Sequence, residues 1–491
     1  MAFFLSLVMI MAMGLTAFAD GESTGYKLIL TGTATGHTYE AYQIFTGDLS
    51  TNAEGKKVLS NVKWGTGVTY TGAESATDVA NKLVDEKEGM TLDQLVEKLT
   101  LNTPAKTVES SKDSTVIDGL AAGYYLVKDK DGSQANTSDA YTKFIVQVVG
   151  NTSVEVKSDV PTVVKKVKDK NDSTGATSDW QDSADYDIGD EVPYQITGTM
   201  PSNIADYKSY KYVFTDTMSK GLTYTEKTAT IKIGDTIVTD SFDEVVTTNE
   251  DGSTTVTWSC DNLKGIEGVT LNNSTTVVVT YSAKLNNSAA IGSVGNPNRV
   301  NLTYSRNPNK GGEGDTGTTP DDQNIVFTYK TVVNKVDQDK KSLAGAAFKL
   351  EKKQSDGKYT LVKEFTAGEE KKFEFTGLDD GEYKLTETTT PAGYNTIDPI
   401  VFTISATHDE TKDDPTLTEL SGNVTNGVVT FTRDTNNEDS LTTDIVNKKG
   451  STLPSTGGRG TTMIYIIGAA LVITAGVVLV MRKKMSSDKE A

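Results

Sequence analysis

The chain has 491 residues, with 67 acidic and 48 basic side chains and a net charge of −19. That length accommodates about three domains of roughly 150 residues, and the acidic balance argues against nucleic-acid binding, which needs a basic face. A single cysteine, Cys260, rules out an intrachain disulfide, and two histidines, His37 and His408, are too few for a histidine-based metal centre.

Taken in chain order, residues 2–18 (AFFLSLVMIMAMGLTAF) are apolar and run into small residues before Asp20. This pattern predicts a secretory signal over 1–19, cleaved after Ala19. A positive n-region is missing, so the natural start is expected further upstream. Beyond residue 20, abundant Thr, Val, Gly and Asn with short apolar runs point to β-structure.

A first domain is expected over 20–158. It opens on alternating strand-like runs, YKLIL and YEAYQIF, and contains helical patterning over 76–99. There Thr91 can cap LDQLVEKL, whose Leu92, Leu95, Val96 and Leu99 share one face as packing residues. A second domain is expected over 159–309, with strands in YKYVFTD, STTVTWS and TTVVVTYSAKL. The Gly-, Pro- and acid-rich stretch 310–324 reads as a linker, and it holds no phosphate-binding loop. A third domain is expected over 325–448. GLAAGYYLVKD (119–129) echoes GLDDGEYKLTE (377–387), and Gly123 and Gly381 suit a tight turn into a strand. The echo suggests that the first and third domains are variants of one β-sandwich.

The tail 449–491 reads STLPSTGG, then an apolar run over 463–480, then RKK. The run is long enough to cross a bilayer, and the basic end would stay cytoplasmic. This tripartite tail resembles the sorting signal of Gram-positive surface proteins. The resemblance implies that a sortase recognises Leu453, Pro454, Thr456 and Gly457, cleaves Thr456–Gly457 and passes the acyl group to an amine.

Strand phase singles out a second kind of lysine. Alternate residues of a strand face one side, yet Lys165 falls in phase with Val163 and Val167, Asp216 with Tyr212 and Phe214, and Asn298 with Val300, Leu302 and Tyr304. In the third domain Lys335 is in phase with Val333, Glu387 with Tyr383 and Leu385, and Asn447 with Ile445. Lys166 rivals Lys165, because Val164 gives it an apolar phase partner, and Asn301 and Asn296 are lesser rivals of Asn298. Burial lowers a lysine pKa and raises a carboxyl pKa, so each trio would set a neutral amine against a carboxamide, with an acid to move protons. The product would be a Lys–Asn isopeptide bond with loss of ammonia. Both bonds would close loops of more than 100 residues, tying first strand to last, and stand where disulfides are absent. The first domain has an acid in the echoed position, Asp129, but Val156 falls where Asn447 sits, so no bond is expected there.

The motifs TVVNKVD, LAGAAFKL, GLDDGEYKLTETTTPAGYN and DIVNK resemble a collagen-adhesin B-type (CnaB) domain, which implies an isopeptide between Lys335 and Asn447 with Glu387 as catalytic acid. PTVVKKV, YDIGDEVPYQITGTMP, FTDTMSKGLTY and GNPNRVNLTYS resemble the middle domain of isopeptide-forming fimbrial subunits, which implies Lys165, Asp216 and Asn298. Across nearly the full chain, the order of motifs is similar to that of major subunits of Gram-positive sortase-assembled pili. The implied fold is mainly β: tandem immunoglobulin-like sandwiches of CnaB and CnaA type, short helices in the first domain, and one C-terminal transmembrane helix. The implied role is a sortase substrate without turnover of its own, joined by a pilin-specific class C sortase through Thr456 to a lysine of the next identical subunit. The family's YPK-type motif is absent here, and VEVKSDVPT makes Lys157 the expected acceptor. Peptidoglycan is the implied final partner and minor pilins further ones; no cofactor, metal or nucleic acid is implied, and no host ligand is named. The alternative is a singly wall-anchored adhesin that does not polymerise.

Overall fold

The structure is a computed structural model that describes residues 25–53, 55–84, 90, 92–134, 139–156, 160–450 and 459–487. In the N-terminal part, Tyr26–Thr33 pairs in parallel with Thr152–Glu155 and antiparallel with Asp113–Leu120. A facing sheet runs in the order Lys57–Trp64, Thr38–Thr51, Gly123–Asp129, Lys143–Val148. Leu28, Leu30, Tyr39, Ile117 and Val127 fill the space between them. The strand Thr38–Thr51 is buried on both sides over its first half, Tyr39 to Phe45, because the helices Ala76–Val84 and Leu92–Glu97 cover its outer face there with Val79 and Leu95. The helical patterning over 76–99 therefore resolves into two short helices; Thr91 lies outside the described residues. Ser75 caps the first helix, accepting from the Asp78 amide at 3.1 Å and donating to its carboxylate at 2.7 Å.

The middle part is a two-sheet sandwich. One sheet follows the order Val163–Val167, Glu191–Thr199, Thr276–Leu285, Thr230–Ile233. The other follows Ser183–Asp185, Asp322–Phe327, Asn296–Ser305, Tyr212–Met218, Thr254–Cys260, Asp243–Thr248. Alternate residues of these strands point into one core, as in Val192, Tyr194 and Ile196. Cys260 is buried there.

The stretch expected to be a linker is not one. Thr316–Thr318 and Asp322–Phe327 both pair with Asn296–Ser305. Turn chemistry is confined to 307–315, and the apolar run that comes after it completes the sheet. Within Asp322–Phe327, Val326 packs into the middle core, whereas Ile325 and Phe327 pack into the C-terminal one. One strand thus serves two cores. It also means that Asn298 is not on the last strand of its sandwich.

In the C-terminal part, Tyr329–Asp337 pairs in parallel with Ser440–Asn447 and antiparallel with Lys372–Leu378. The facing sheet runs Tyr359–Glu364, Ala347–Lys353, Gly381–Thr389, Ile400–His408, Leu417–Asn426. These pairings repeat the N-terminal ones, so the echoed segments occupy the same hairpin of the same topology. Gly119 and Gly377 share a left-handed φ of 75° and 76°. Gly123, expected to make the turn, instead admits close approach: a Cβ there would meet the Phe45 carbonyl oxygen at 2.6 Å. A final helix spans Arg459–Ser487, and its Met463–Lys483 stretch is long and apolar enough to cross a membrane.

Candidate functional site

Two buried constellations stand out, one in each of the last two sandwiches. In the middle one, Lys165, Asp216 and Asn298 are all fully buried. Lys165 comes from the edge strand of one sheet, and Asp216 and Asn298 come from paired strands of the other, where Asn298 faces Met218 across the ladder. The Lys165 amine donates to Asp216 Oδ1 at 2.6 Å and to the Tyr281 hydroxyl at 2.7 Å. That hydroxyl donates to Asp216 Oδ2 and accepts from Asn298 Nδ2 at 2.8 Å. Tyr194 stacks on Tyr281, and the Lys165 amine lies 5.1 Å from both ring centroids. Burial holds the Lys165 amine below the ordinary lysine value and pushes the Asp216 carboxyl up. Both shifts favour the uncharged pair. The Asn298 Oδ1 atom makes no hydrogen bond among the described residues.

The rivals are placed elsewhere. Lys166 turns outward, on the side of the exposed Val164, and pairs with Asp182. Asn296 is buried but bonds to the Ala290 and Val326 carbonyls, and Asn301 donates to Asp321 at the surface.

In the C-terminal constellation, Lys335, Glu387 and Asn447 are again buried. Lys335 and Asn447 lie on adjacent parallel strands, with Lys335 opposite Ile445 and Asp337 opposite Asn447. Glu387 reaches across from the facing sheet. Its Oε1 lies 3.8 Å from the Lys335 amine, and its Oε2 accepts from Asn447 Nδ2 at 3.0 Å. Asn447 Nδ2 also donates to the Asn395 carbonyl at 2.6 Å, while Thr390 Oγ1 and the Ile397 amide donate to Glu387 Oε2. The Lys335 amine donates to the Ile445 carbonyl at 2.9 Å. Burial lowers the Lys335 pKa to about 8, against a weaker pull from Glu387.

A third buried lysine, Lys352, marks the contrast. Burial acts against its charge too, but Asp379 at 2.9 Å and Asp187 at 2.6 Å outweigh it and raise its pKa. It is an ion-pair lysine, with no neutral amine to offer.

In the N-terminal sandwich, the position of Glu387 is taken by Asp129, which is buried against His37 Nδ1 at 3.0 Å and accepts from the Thr142 amide at 2.6 Å. The parallel pairing places Leu30 and Val156 where Lys335 and Asn447 stand in the C-terminal sandwich. Lys157 and the motif residues Leu453, Pro454, Thr456 and Gly457 lie outside the described residues.

Reading the sequence missed the groups that complete each constellation. Tyr281 sits in a run of inward Val277, Val279 and Ala283, where an aromatic reads as core. Asn395 and Thr390 lie in a loop with no strand phase to read.

Known proteins place the whole chain. Residues 188–308 match the family described as Gram-positive pilin backbone subunit 2, Cna-B-like domain; residues 330–416 match the prealbumin-like fold domain; residues 445–487 match the LPXTG cell wall anchor motif. The trypsin-resistant surface T6 protein of Streptococcus pyogenes serotype M6 is 26% identical, covering 98% of this chain and 99% of its own length. The solved structure of the T6 backbone pilin of that serotype superposes with a TM-score of 0.53 at 18% identity, over 88% of this chain and 100% of the other, and so shares its fold. With a pilin backbone domain, a prealbumin-like domain and a wall anchor in that order, the chain is a backbone pilin of Gram-positive pili with an LPXTG anchor, covalently attached to the cell wall.

Proposed function

We propose that the chain is the shaft subunit of a covalent pilus that crosslinks itself before it is polymerised. In each of the last two sandwiches, a neutral lysine amine attacks the asparagine carboxamide. A bond forms between Nζ and Cγ, the Cγ–Nδ2 bond breaks, and ammonia leaves with protons passed through Asp216 or Glu387. The pairs are Lys165 with Asn298 and Lys335 with Asn447. Folding supplies the proximity, worth an effective molarity of about 10⁵ M or more. The observation that carries this reading is the pair of fully buried lysine–acid–asparagine sets whose lysines are both shifted toward the free amine.

The tail supplies the polymerisation step. A class C sortase cleaves between Thr456 and Gly457, holds Thr456 as an acyl-enzyme, and releases it to Lys157 of the next subunit. The last subunit joins peptidoglycan, and minor pilins share the fibre. Co-expression with the cognate pilin sortase tests this step. A high-mass SDS-resistant ladder that disappears in Lys157→Ala supports it, a ladder that survives moves the acceptor to another lysine, and no ladder favours a singly anchored protein.

A further inference from the structure

The strand Asp322–Phe327 brings a second asparagine to the middle constellation. Asn324 lies directly opposite Asn298 in the antiparallel ladder, and opposed side chains of a ladder share one face, with Cβ atoms about 4.5–5.5 Å apart. Both residues are fully buried. Asn324 is in phase with Val326, which packs into the middle core, and out of phase with Ile325 and Phe327, which serve the C-terminal one. The same strand also reaches the lysine: Asp322 Oδ2 accepts from the Lys165 backbone amide at 2.5 Å.

Asn324 destabilises the place where it stands. Among the described residues neither its Oδ1 nor its Nδ2 makes a hydrogen bond, and a buried amide left so carries a desolvation cost that an apolar residue in the same phase avoids. Asn298 has the complementary lack. Its Nδ2 donates to the Tyr281 hydroxyl at 2.8 Å, which ties the amide to the group that also holds the Lys165 amine. Its Oδ1 has no donor among the described residues. An unused N–H donor and an unused carbonyl oxygen therefore stand across one rung of the ladder.

We propose that Asn324 is the oxyanion donor of the middle crosslink, its Nδ2 hydrogen-bonding Asn298 Oδ1 as negative charge gathers there. The inference rests on the Lys165–Asn298 bond proposed above. When the Lys165 amine adds to Asn298 Cγ, the carbonyl π pair moves onto Oδ1. A proton of the amine passes through Asp216 to Nδ2, the Cγ–Nδ2 bond breaks, ammonia leaves, and the carbonyl re-forms as Oδ1 gives back its charge. A donor left idle before the reaction and engaged during it lowers the barrier, because only interactions stronger in the transition state speed a step. Asn298 is the electrophile of the two, since Tyr281 joins it and not Asn324 to the lysine.

The test follows the full-length chain, isolated unfolded and refolded into detergent, with the Lys165–Asn298 and Lys335–Asn447 crosslinked peptides measured against time by mass spectrometry. Asn324→Val should slow the first bond by about 10²–10³-fold, the scale of losing one oxyanion donor, and leave the second unchanged. Asn324→Thr keeps the valine shape, adds a hydroxyl donor, and should recover part of the rate. Stability should move the other way: in the unreactive Asp216→Ala chain, adding Asn324→Val should raise the unfolding temperature, where loss of a merely structural asparagine would lower it. A parental rate in Asn324→Val overturns the proposal, as do equal slowing of both bonds, equal rates in the Val and Thr variants, or a Lys165–Asn324 crosslink in the parent. The Tyr194 hydroxyl also lies beside Asn298; slowing in Tyr194→Phe without slowing in Asn324→Val overturns the proposal and gives the role to that hydroxyl. A folded parent with no Lys165–Asn298 crosslink overturns instead the reading on which the proposal rests.

Discussion

Lys335 and Asn447 sit on adjacent parallel strands, a single pleat apart in register, with Glu387 reaching over both from the opposite sheet. A parallel pairing of first and last strands would let a short bond close a loop from 335 to 447. Removing either partner should remove the proposed crosslink and leave the sheet. Asn447→Ala should therefore keep the fold, lose no ammonia at this site, and lose about 4–5 kcal/mol by the loop-closure relation. Chemical denaturation with intact-mass measurement checks both.

The two acids should act independently, because each faces its own core. Glu387→Ala should block only the C-terminal bond and Asp216→Ala only the middle one, so each variant lies a single ammonia below its own linear mass. Peptide mapping by mass spectrometry then shows which Lys–Asn crosslinked peptide is missing.

Tyr281 ties the amine, the acid and the amide of the middle constellation through one hydroxyl. Tyr281→Phe keeps the stacking on Tyr194 and removes that hydroxyl. Bond formation during refolding should slow by about 10²-fold, the scale of losing one well-placed hydrogen-bonding group, and the time course of ammonia loss measures it.

The lowered Lys335 pKa gives a pH signature in a chain that cannot react. In Asn447→Ala the lysine stays a free amine, with a folded value near 8 against 10.5 for the ordinary group. Between these values the unfolded chain binds more protons than the folded one, so stability should rise with pH from about 8 to 10.5. Below 8 both states are protonated, and this contribution is flat. Denaturation curves across that window check the sign, and the additional change Lys335→Met should abolish the rise.

Much of the site was legible because strand phase is a two-state property. Lys165, Asp216, Asn298, Lys335, Glu387 and Asn447 all fall on the apolar phase, and all are buried. Phase alone left Lys165 and Lys166 open; the outward Val164 and the Lys166–Asp182 pair separate them. Pairing across long separations was not legible. The first residues of the strand Asp322–Phe327 read as linker because a stretch rich in Gly and Asp separates them from Asn296–Ser305, and their other partner, Ser183–Asp185, lies far back in the chain. Tyr281 was hidden for a different reason: an inward aromatic between valines is ordinary packing until a lysine is found beneath it.

Self-crosslinking is tested most directly by the intact mass of the folded ectodomain, residues 25–450. Two isopeptide bonds predict a value two ammonia molecules below that of the linear sequence. Against their own linear masses, Asn298→Ala and Asn447→Ala should each recover one ammonia, and the double variant both. A folded parent at the full linear mass would contradict the presence of either bond.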